Sequence, residues 1–562
     1  MHAFALLCCL ITTAAIPASG CGKTAARRPQ HEIAPEIENA RNIRLAIQFP
    51  GADLGAQINA ASVALGAGHG EIWVTTKGVV RTAIKLLSGQ TLRLFAPTTW
   101  QSGATLSSGD SVVGDGESSA MTVSFLKPAA VLNGDAVMDI RVSNLDATAP
   151  DGSVGYLLVG VTASNYVMVS DCTVRNVRLF AAGSSAKSYA AVDDGNSSHD
   201  VTVVNNTAIS KVTSHDSGAA ISLAYTWRAV VSGNITEGFD AGVQWWGGDA
   251  NYNRDGGPGN KRKTGDITIS HNATYRSGGA GIWGSMGDGI TVTGNVIRNC
   301  GDICLDTEGS NHVIFSGNVV QDGRNGAIGT FFYNSDVTIT GNSVVSTSAK
   351  FPLLSIYNSS QSSAYNQDLL ITGNHFACVG QGICRVSTAM GPAQREIFTG
   401  NVLRDVKLEF TGNNQHYIEI SHNDFVFDRS SPLPFNAIDV EHTNSLNGEP
   451  GMAKILDNMI DSQAVQPQGS AAVFVVQDDY NAGAVSWIER NELEGSHPFP
   501  TDIAVRACSS NPHVISHFLI EQNILGTGVV KRAGGPRCKP AAMVLQGNRL
   551  RNNQPLQVQT AK

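Results

Sequence analysis

Residues 267–345 read ITISHNATYRSGGAGIWGSMGDGITVTGNVIRNCGDICLDTEGSNHVIFSGNVVQDGRNGAIGTFFYNSDVTITGNSVV. One phrase returns four times in this stretch: ITISHNAT, ITVTGNVI, VIFSGNVV and VTITGNSV. Its Asn falls at Asn272, Asn295, Asn318 and Asn342, in steps of 23, 23 and 24 residues. The phrase continues in both directions, from VMVSDCTV, VTVVNNTA and AVVSGNIT to LLITGNHF, EIFTGNVL, IEISHNDF, AKILDNMI, SWIERNEL, FLIEQNIL and MVLQGNRL. The same Asn recurs at Asn206, Asn234, Asn374, Asn401, Asn423, Asn458, Asn491, Asn523 and Asn548, with Cys172 in the slot of the first copy. Self-similarity of this kind marks a repeat architecture.

Each phrase alternates apolar and polar residues with period two. A second strand-like run follows about ten residues later, as in AGIWGS, ICLDTEG and AIGTFF. A unit of two or three short strands cannot bury its own apolar face. Stacked at ~4.8 Å per layer, successive units bury a continuous column of Val, Ile and Leu, and their turn Asn amides bond from layer to layer. The expected fold is therefore all-β, a parallel β-helix or solenoid. Helical and leucine-rich repeats are excluded by the absence of a 3.6-residue period and of their Leu spacing.

An open solenoid end exposes strand edges and core, so it needs a cap. GADLGAQINAASVALGAGHGEIWVTT, residues 51–76, supplies an amphipathic helix with Leu54, Ile58, Ala61 and Leu65 on one face, then switches to strand alternation at Glu71. Gly66, Gly68 and Gly70 follow a helix and precede a strand, the wrong order for a phosphate-cradling loop.

The 562 residues include 59 Gly and 20 Pro, with 15% charged and 42% apolar residues, a composition suited to strands and turns. The 39 basic and 47 acidic residues contain no basic block longer than Lys261-Arg262-Lys263, so no nucleic-acid footprint is present. Residues 4–17 (FALLCCLITTAAIP) read as the core of an export signal over 1–20. ASGC ending at Cys21 resembles a bacterial lipobox, which implies a lipidated Cys21, a tether over 21–44 and a place in the cell envelope; plain secretion is the alternative. The cap and first strands are expected over 45–100, the β-helix over 101–550 and a polar tail over 551–562. Cys378 with Cys384, and Cys508 with Cys538, are candidate disulfides, weighed against simple burial as small core residues. No cysteine spacing suits zinc.

The GADLGAQINAA helix, the EIWVTT strand and the TGN repeats together resemble the right-handed parallel β-helix, pectin-lyase-like superfamily, over roughly residues 45–550. That superfamily includes polysaccharide lyases, polygalacturonase-type hydrolases and tailspike-like proteins, so the resemblance implies a fold more than a reaction. GDICLDTEGS also resembles the polygalacturonase segment built on DDCI, with Asp302, Cys304 and Leu305 in matching places. It departs by Ile303 at the second Asp, by GIWGS in the preceding coil and by GRNGAIG in the following one.

Aligning coils on the repeated Asn puts Ile221, Val243, Ile282, Leu305 and Ile328 in one inward column. Alternation then turns outward Gln244 and Trp246, Trp283 and Ser285, Asp306 and Glu308, Gly329 and Phe331, with Tyr357 next. Flat aromatics flanking a carboxylate pair suit sugar rings. Asp306 and Glu308, two residues apart on one face, place their Cβ atoms about 6.5–7 Å apart, nearer the inverting than the retaining separation of glycosidase acids. Asp302, in the preceding turn, is a third candidate.

The excursion GGDANYNRDGGPGNKRKTGD brings Asp249, Tyr252, Arg254, Asp255, Lys261 and Arg262 beside this ladder, as a groove wall whose basic residues would hold uronate or sulfate, or as a solvated loop. His215 and Asp216 are candidates for lining the same groove, and Arg324 for binding substrate from a nearby turn.

Three functions are open. The leading one is an extracytoplasmic glycoside hydrolase with Asp302, Asp306 and Glu308 catalytic, Gln244, Trp246, Trp283, Phe331, Tyr357 and Arg324 binding a polysaccharide, and no metal or other cofactor. The second is a polysaccharide lyase, with the three acids holding Ca²⁺ and Arg324 or a loop Lys abstracting a proton. The third is a carbohydrate-binding or adhesive solenoid without a reaction. The only membrane contact expected is through the lipid.

Overall fold

The structure, a computed structural model, describes residues 42–150, 155–211, 218–250, 259–357, 366–389, 394–411, 416–443, 451–477, 484–507, 517–532, 542–550 and 556–560. Alternation and turn chemistry wind these residues into a solenoid of three parallel sheets, the first with 19 strands. One coil runs Gly287–Thr293 in the first sheet, Val296–Cys300 in the second and Ile303–Glu308 in the third. The next coil opens with Asn311–Ser316 beside Gly287–Thr293.

The repeated Asn stands at the turn between the first and second sheets. The residue before it is left-handed, with φ +64° at Gly294, +61° at Gly317 and +64° at Gly341, which is the physical reason for the Gly-Asn phrase. Asn318 shows the bonding that follows. Its Oδ1 accepts from the backbone N–H and the Nδ2 of Asn295, both at 3.0 Å, and its own Nδ2 donates to Asn342 Oδ1 and Val292 O at 3.0 Å. The same amide-to-amide link recurs from Asn206 to Asn548, fully buried over most of its length. A second polar ladder, not anticipated from the sequence, runs through the return turn. The Gly287 N–H donates to Ser310 Oγ (3.1 Å), Ser310 N–H to Asn334 Oδ1 (2.8 Å) and Asn334 N–H to Asn366 Oδ1 (3.1 Å).

Inside, Ile221, Val243, Ile282, Leu305 and Ile328 are consecutive register partners and fully buried, as alternation predicts. Strands of the third sheet open on two successive inward residues, such as Cys304 with Leu305 and Ala327 with Ile328. Trp245 also points inward, and its indole fits only because its register partner is Gly284, where any Cβ would collide with the ring. Glu396 sits between Leu369 and Ile418 in an inward column. It is 1% exposed, with neither carboxyl oxygen hydrogen-bonded, and burial pushes its pKa up to about 8.

The helix forms over Leu54–Leu65. Asp53 Oδ1 accepts from the Gly55 and Ala56 N–H groups at 2.8 and 3.2 Å, and Leu54, Ile58 and Ala61 enter the core. The sheets outrun the boundaries read from the sequence. Ile43–Leu45 pairs with the strand Gly70–Val74, and Gln557–Thr560 adds a strand beside Val529–Arg532, because an alternating polar segment can still satisfy a backbone ladder. Cys378 bonds Cys384 as expected; Cys300 bonds Cys304, which the sequence reading left unpaired; Cys172 is free and buried. The export signal, Cys21, the Cys508/Cys538 pair, His215 and Asp216 lie outside the described residues. Among those described, no helix is long and apolar enough to cross a membrane.

Asn318→Ala strands the buried Asn295 N–H and the Val292 carbonyl, and is expected to cost about 3 kcal/mol, at 1–3 per unsatisfied group; a denaturant midpoint equal to wild type would show that the ladder is dispensable. Glu396 keeps its proton in the folded chain while the unfolded chain loses it near the ordinary 4.5, so stability declines as pH rises from about 5 through about 8. Glu396→Gln should remove this decline, its advantage over wild type growing between melts at pH 5 and pH 8; a constant difference would contradict the assignment.

Candidate active site on the third sheet

The outer face of the third sheet carries two rows of side chains in direct register. One row is Gln244, Trp283, Asp306, Gly329 and Ser355; the other is Trp246, Ser285, Glu308, Phe331 and Tyr357. Parallel pairing thus gathers residues more than a hundred positions apart into five adjacent coils. Trp246 and Trp283 meet edge to face, 6.1 Å between centroids, and Phe331 and Tyr357 lie tilted at 5.7 Å. The two carboxyls stand between these aromatic pairs.

They do not share one environment. The sequence reading places both acids on an open wall, but Asp306 is only 7% exposed and its Oδ1 has no hydrogen-bond partner. Local packing explains the burial. The two successive inward residues Cys304 and Leu305 shift the alternation and leave Ile303 outside the main core, near Asp306. Gly329 lacks the side chain that would otherwise fill this place. A Cβ there would strike the Phe331 ring and lie 3.1 Å from both Asp306 Oδ1 and Ile303 Cγ2. Phe331 therefore folds back over Gly329 and closes on the acid. Burial first, then the charges of Glu308 and Asp302, hold the Asp306 carboxyl well above the usual carboxylate range.

Glu308, at the C-terminal end of the same strand, is partly exposed. Burial, then the charges of Asp249 and Asp302, push its pKa up to about 7. Asp249 belongs to the excursion after Trp246, which folds back onto this edge. The Ala250 N–H donates to Ser285 Oγ (3.0 Å), Tyr333 Oη donates to Ala250 O (3.0 Å), and a Cβ at Gly309 would come within 3.1 Å of Ala250 Cβ. Asp249 is thereby held beside Glu308. The sequence reading named it only as a loop acid.

Of the loop's basic residues, Lys261 is exposed and Arg262 does not take the place expected of it. Arg262 is buried against the Tyr333 ring at 5.5 Å and donates to Asn311 Oδ1 and Asn260 O, while Lys263 donates to Val192 O. Tyr252, Arg254 and Asp255 lie outside the described residues. Asp302 accepts from Asn325 Nδ2 at 2.7 Å at the opposite, N-terminal edge of the strands. Arg324 is exposed at that same edge, where it lines a cavity of about 330 Å³ with Asn299, Asp322 and Phe351. The Cys300–Cys304 disulfide spans the turn that delivers Asp302. Among the described residues, no three acidic, His or Cys side chains are gathered as a metal ion would require.

The Asp-x-Glu phrase returns unheralded on this sheet at Asp439 and Glu441. There, Glu409 is the register partner of Asp439 and is itself paired with Lys407 and with Arg385 (3.8 Å). Cations thus accompany the second set of acids.

The chain is a right-handed parallel β-helix: the family described as "Right handed beta helix region" matches residues 157–344. Among solved structures it is similar to the surface adhesin PfbA of Streptococcus pneumoniae, at 14% identity and TM-score 0.34, over 68% of this chain and 93% of that one. It is also similar to the catalytic unit of a GH87 α-1,3-glucanase from Streptomyces thermodiastaticus strain HF3-3, at 14% and 0.35, over 90% and 68%. A third is the N-terminal fragment of gene product 12 of bacteriophage Phi29, at 9% and 0.43, over 90% and 92%. No curated protein sequence matches the chain. Likenesses this distant attach no activity to it.

Asp249→Asn removes the largest charge effect on Glu308, so the Glu308 carboxyl should titrate below about 7. Carboxyl ¹³C NMR of the selectively labelled protein measures this; an unmoved midpoint would mean that the two groups do not face each other.

Proposed function

We propose that the protein is an extracytoplasmic glycoside hydrolase acting on a polysaccharide laid along the third sheet. The observation that carries this reading is Glu308, a partly exposed carboxyl with a pKa near 7 between two aromatic pairs and beside a second carboxyl, Asp249. Such a group still holds a proton near neutrality and can deliver it. Glu308 gives its proton to the glycosidic oxygen as the bond to the anomeric carbon breaks. Asp249 takes a proton from the water whose oxygen bonds that carbon. Asp306, whose burial holds its carboxyl well above the usual carboxylate range, is unsuited as the base and instead offers its O–H to a sugar hydroxyl. This reassigns the two roles read from the sequence, where Asp306 and Glu308 formed the acid–base pair. Gln244, Trp246, Trp283, Phe331 and Tyr357 supply the binding surface, Trp and Phe rings stacking on apolar sugar faces. Asp302 and Arg324 mark its far edge. The Cys300–Cys304 and Cys378–Cys384 disulfides, with the apolar N-terminal run, support a compartment outside the cytoplasm. A lipid on Cys21 would hold the enzyme at the envelope.

Glu308→Gln should lower kcat about 10²–10⁴-fold, the usual worth of a general acid, while leaving glycan binding and the melting temperature near wild type. Wild-type kcat should fall as pH rises through about 7. Reducing ends without a near-ultraviolet chromophore are the expected products. Undiminished turnover in Glu308→Gln would sink the mechanism, an absorbing unsaturated product would indicate a lyase, and no product from any bound glycan would indicate a binding solenoid.

A further inference from the structure

The row through Asp306 and Gly329 does not end at the candidate active site. It continues in unbroken register through Ser355, Ser387, Glu409, Asp439 and Phe474. Six coils at ~4.8 Å each put Phe474 about 29 Å beyond Asp306 along the solenoid. The two serines that follow Gly329 are small and partly exposed, which keeps this row low between Phe331 and Glu409. The far end then repeats the order of the near one. Glu308 has Phe331 as its register partner in the next coil, and Asp439 has Phe474. The Phe474 ring is partly exposed, with the Arg506 guanidinium over it at 5.8 Å from the centroid. One coil before Asp439, Glu409 is ion-paired with Lys407 and Arg385, yet the three side chains stay 27%, 23% and 36% exposed. Burial raises the Asp439 carboxyl to about 7 against a hydrogen bond from Asn436 (2.9 Å), and the charges of Glu441 and Glu409 add to the rise.

Resting on the hydrolase reading above, we infer that the coils of Glu409, Asp439 and Phe474 form a distal glycan-binding site, which holds a remote stretch of the same polymer whose scissile bond lies at Glu308. Phe474 offers the apolar side of a sugar ring a surface to stack on, as the rings near Glu308 do. Glu409 accepts from sugar hydroxyls while Lys407 and Arg385 donate to them, and hydrogen bonds with one charged partner are stronger than neutral ones. Ion pairs this exposed add little to folding stability. They do hold the three side chains in place, so binding forfeits less rotamer freedom. Cations engage the carboxyl in register with Asp439, which fits this end to hold hydroxyls rather than to activate water. Only a chain long enough to cross six coils touches both sites, so the enzyme favours long polymer over short oligosaccharides.

The test uses long polymers (glucans, mannan, xylan, galactan, polygalacturonate) and the trisaccharide of whichever polymer is retained. Affinity electrophoresis with Glu308→Gln reads binding, and reducing-end release by the active enzyme reads turnover. Adding Phe474→Ala to Glu308→Gln should weaken retention of the bound polymer about ten-fold, the worth of one lost stacking contact. In the active enzyme, Phe474→Ala should lower the ratio of polymer to trisaccharide kcat/KM by a similar factor. Phe474→Tyr should restore both, and Lys407→Gln, which opens no cavity, should act in the same direction as Phe474→Ala; melting temperatures check that each variant is folded. An unchanged ratio and unchanged retention in Phe474→Ala and Lys407→Gln would overturn the distal site while leaving hydrolysis standing. Reducing ends released by Glu308→Gln and abolished by adding Asp439→Asn would make these coils a second catalytic centre and overturn their role as a binding site. Retention that depends on Phe474, with no reducing ends from wild type, would overturn the hydrolase reading and leave the distal site standing. Retention of no polymer would remove both.

Discussion

The parallel pairing of each strand with its equivalent one coil away is the constraint on which everything else in this molecule depends. Among the described residues no strand has a partner within its own coil, so their ladder bonds are made across layers. A slip of one residue would turn the Val, Ile and Leu columns outward. The Asn ladder resists that slip. Each buried amide is satisfied by the amide of the next layer and by carbonyls two residues away and one coil back, as at Asn295. Because these groups are buried, an unpaired amide costs more than a paired one contributes. The left-handed residue before each Asn serves the same register, since it turns the chain through one corner at every layer.

The candidate site is a product of this translation. Trp246, Trp283, Asp306, Phe331 and Tyr357 have no proximity along the chain, and each is brought to its neighbour by register alone. Two local departures then give the acids distinct properties. The doubled inward step at Cys304 and Leu305, together with Gly329, encloses Asp306 beneath Phe331. The excursion anchored at Ala250 sets Asp249 against Glu308. The first departure holds one carboxyl well above the usual carboxylate range, and the second, added to burial, makes one poised near neutrality. Carboxyls on a single short strand face thereby become chemically unequal, which is what proton delivery requires.

Much of this was legible in the order of the residues. Period-two alternation and the spacing of Asn272, Asn295, Asn318 and Asn342 were enough to place Ile221 through Ile328 inside and the two site rows outside, because side-chain direction in a strand follows from position alone. The helix at Leu54–Leu65 was visible in its apolar spacing for the same reason. The burial of Asp306 was not visible, since it depends on a missing Cβ at Gly329 in the next coil and on where the Phe331 ring then goes. Nor was the Cys300–Cys304 bond, which depends on how tightly one turn closes. The basic run Lys261–Lys263 pointed toward the groove by proximity, yet Arg262 and Lys263 found partners on other turns.

By itself, then, the sequence determined the winding, the inward columns and which side chains share the outer face, because these follow from periodicities that neighbouring residues impose on one another. The tertiary structure alone decided which of those carboxyls is enclosed, which meets the loop acid and where Arg262 and Lys263 find their partners. Those outcomes turn on distances between atoms many coils or a long loop apart, and electrostatic interaction and desolvation are set by such distances rather than by order along the chain.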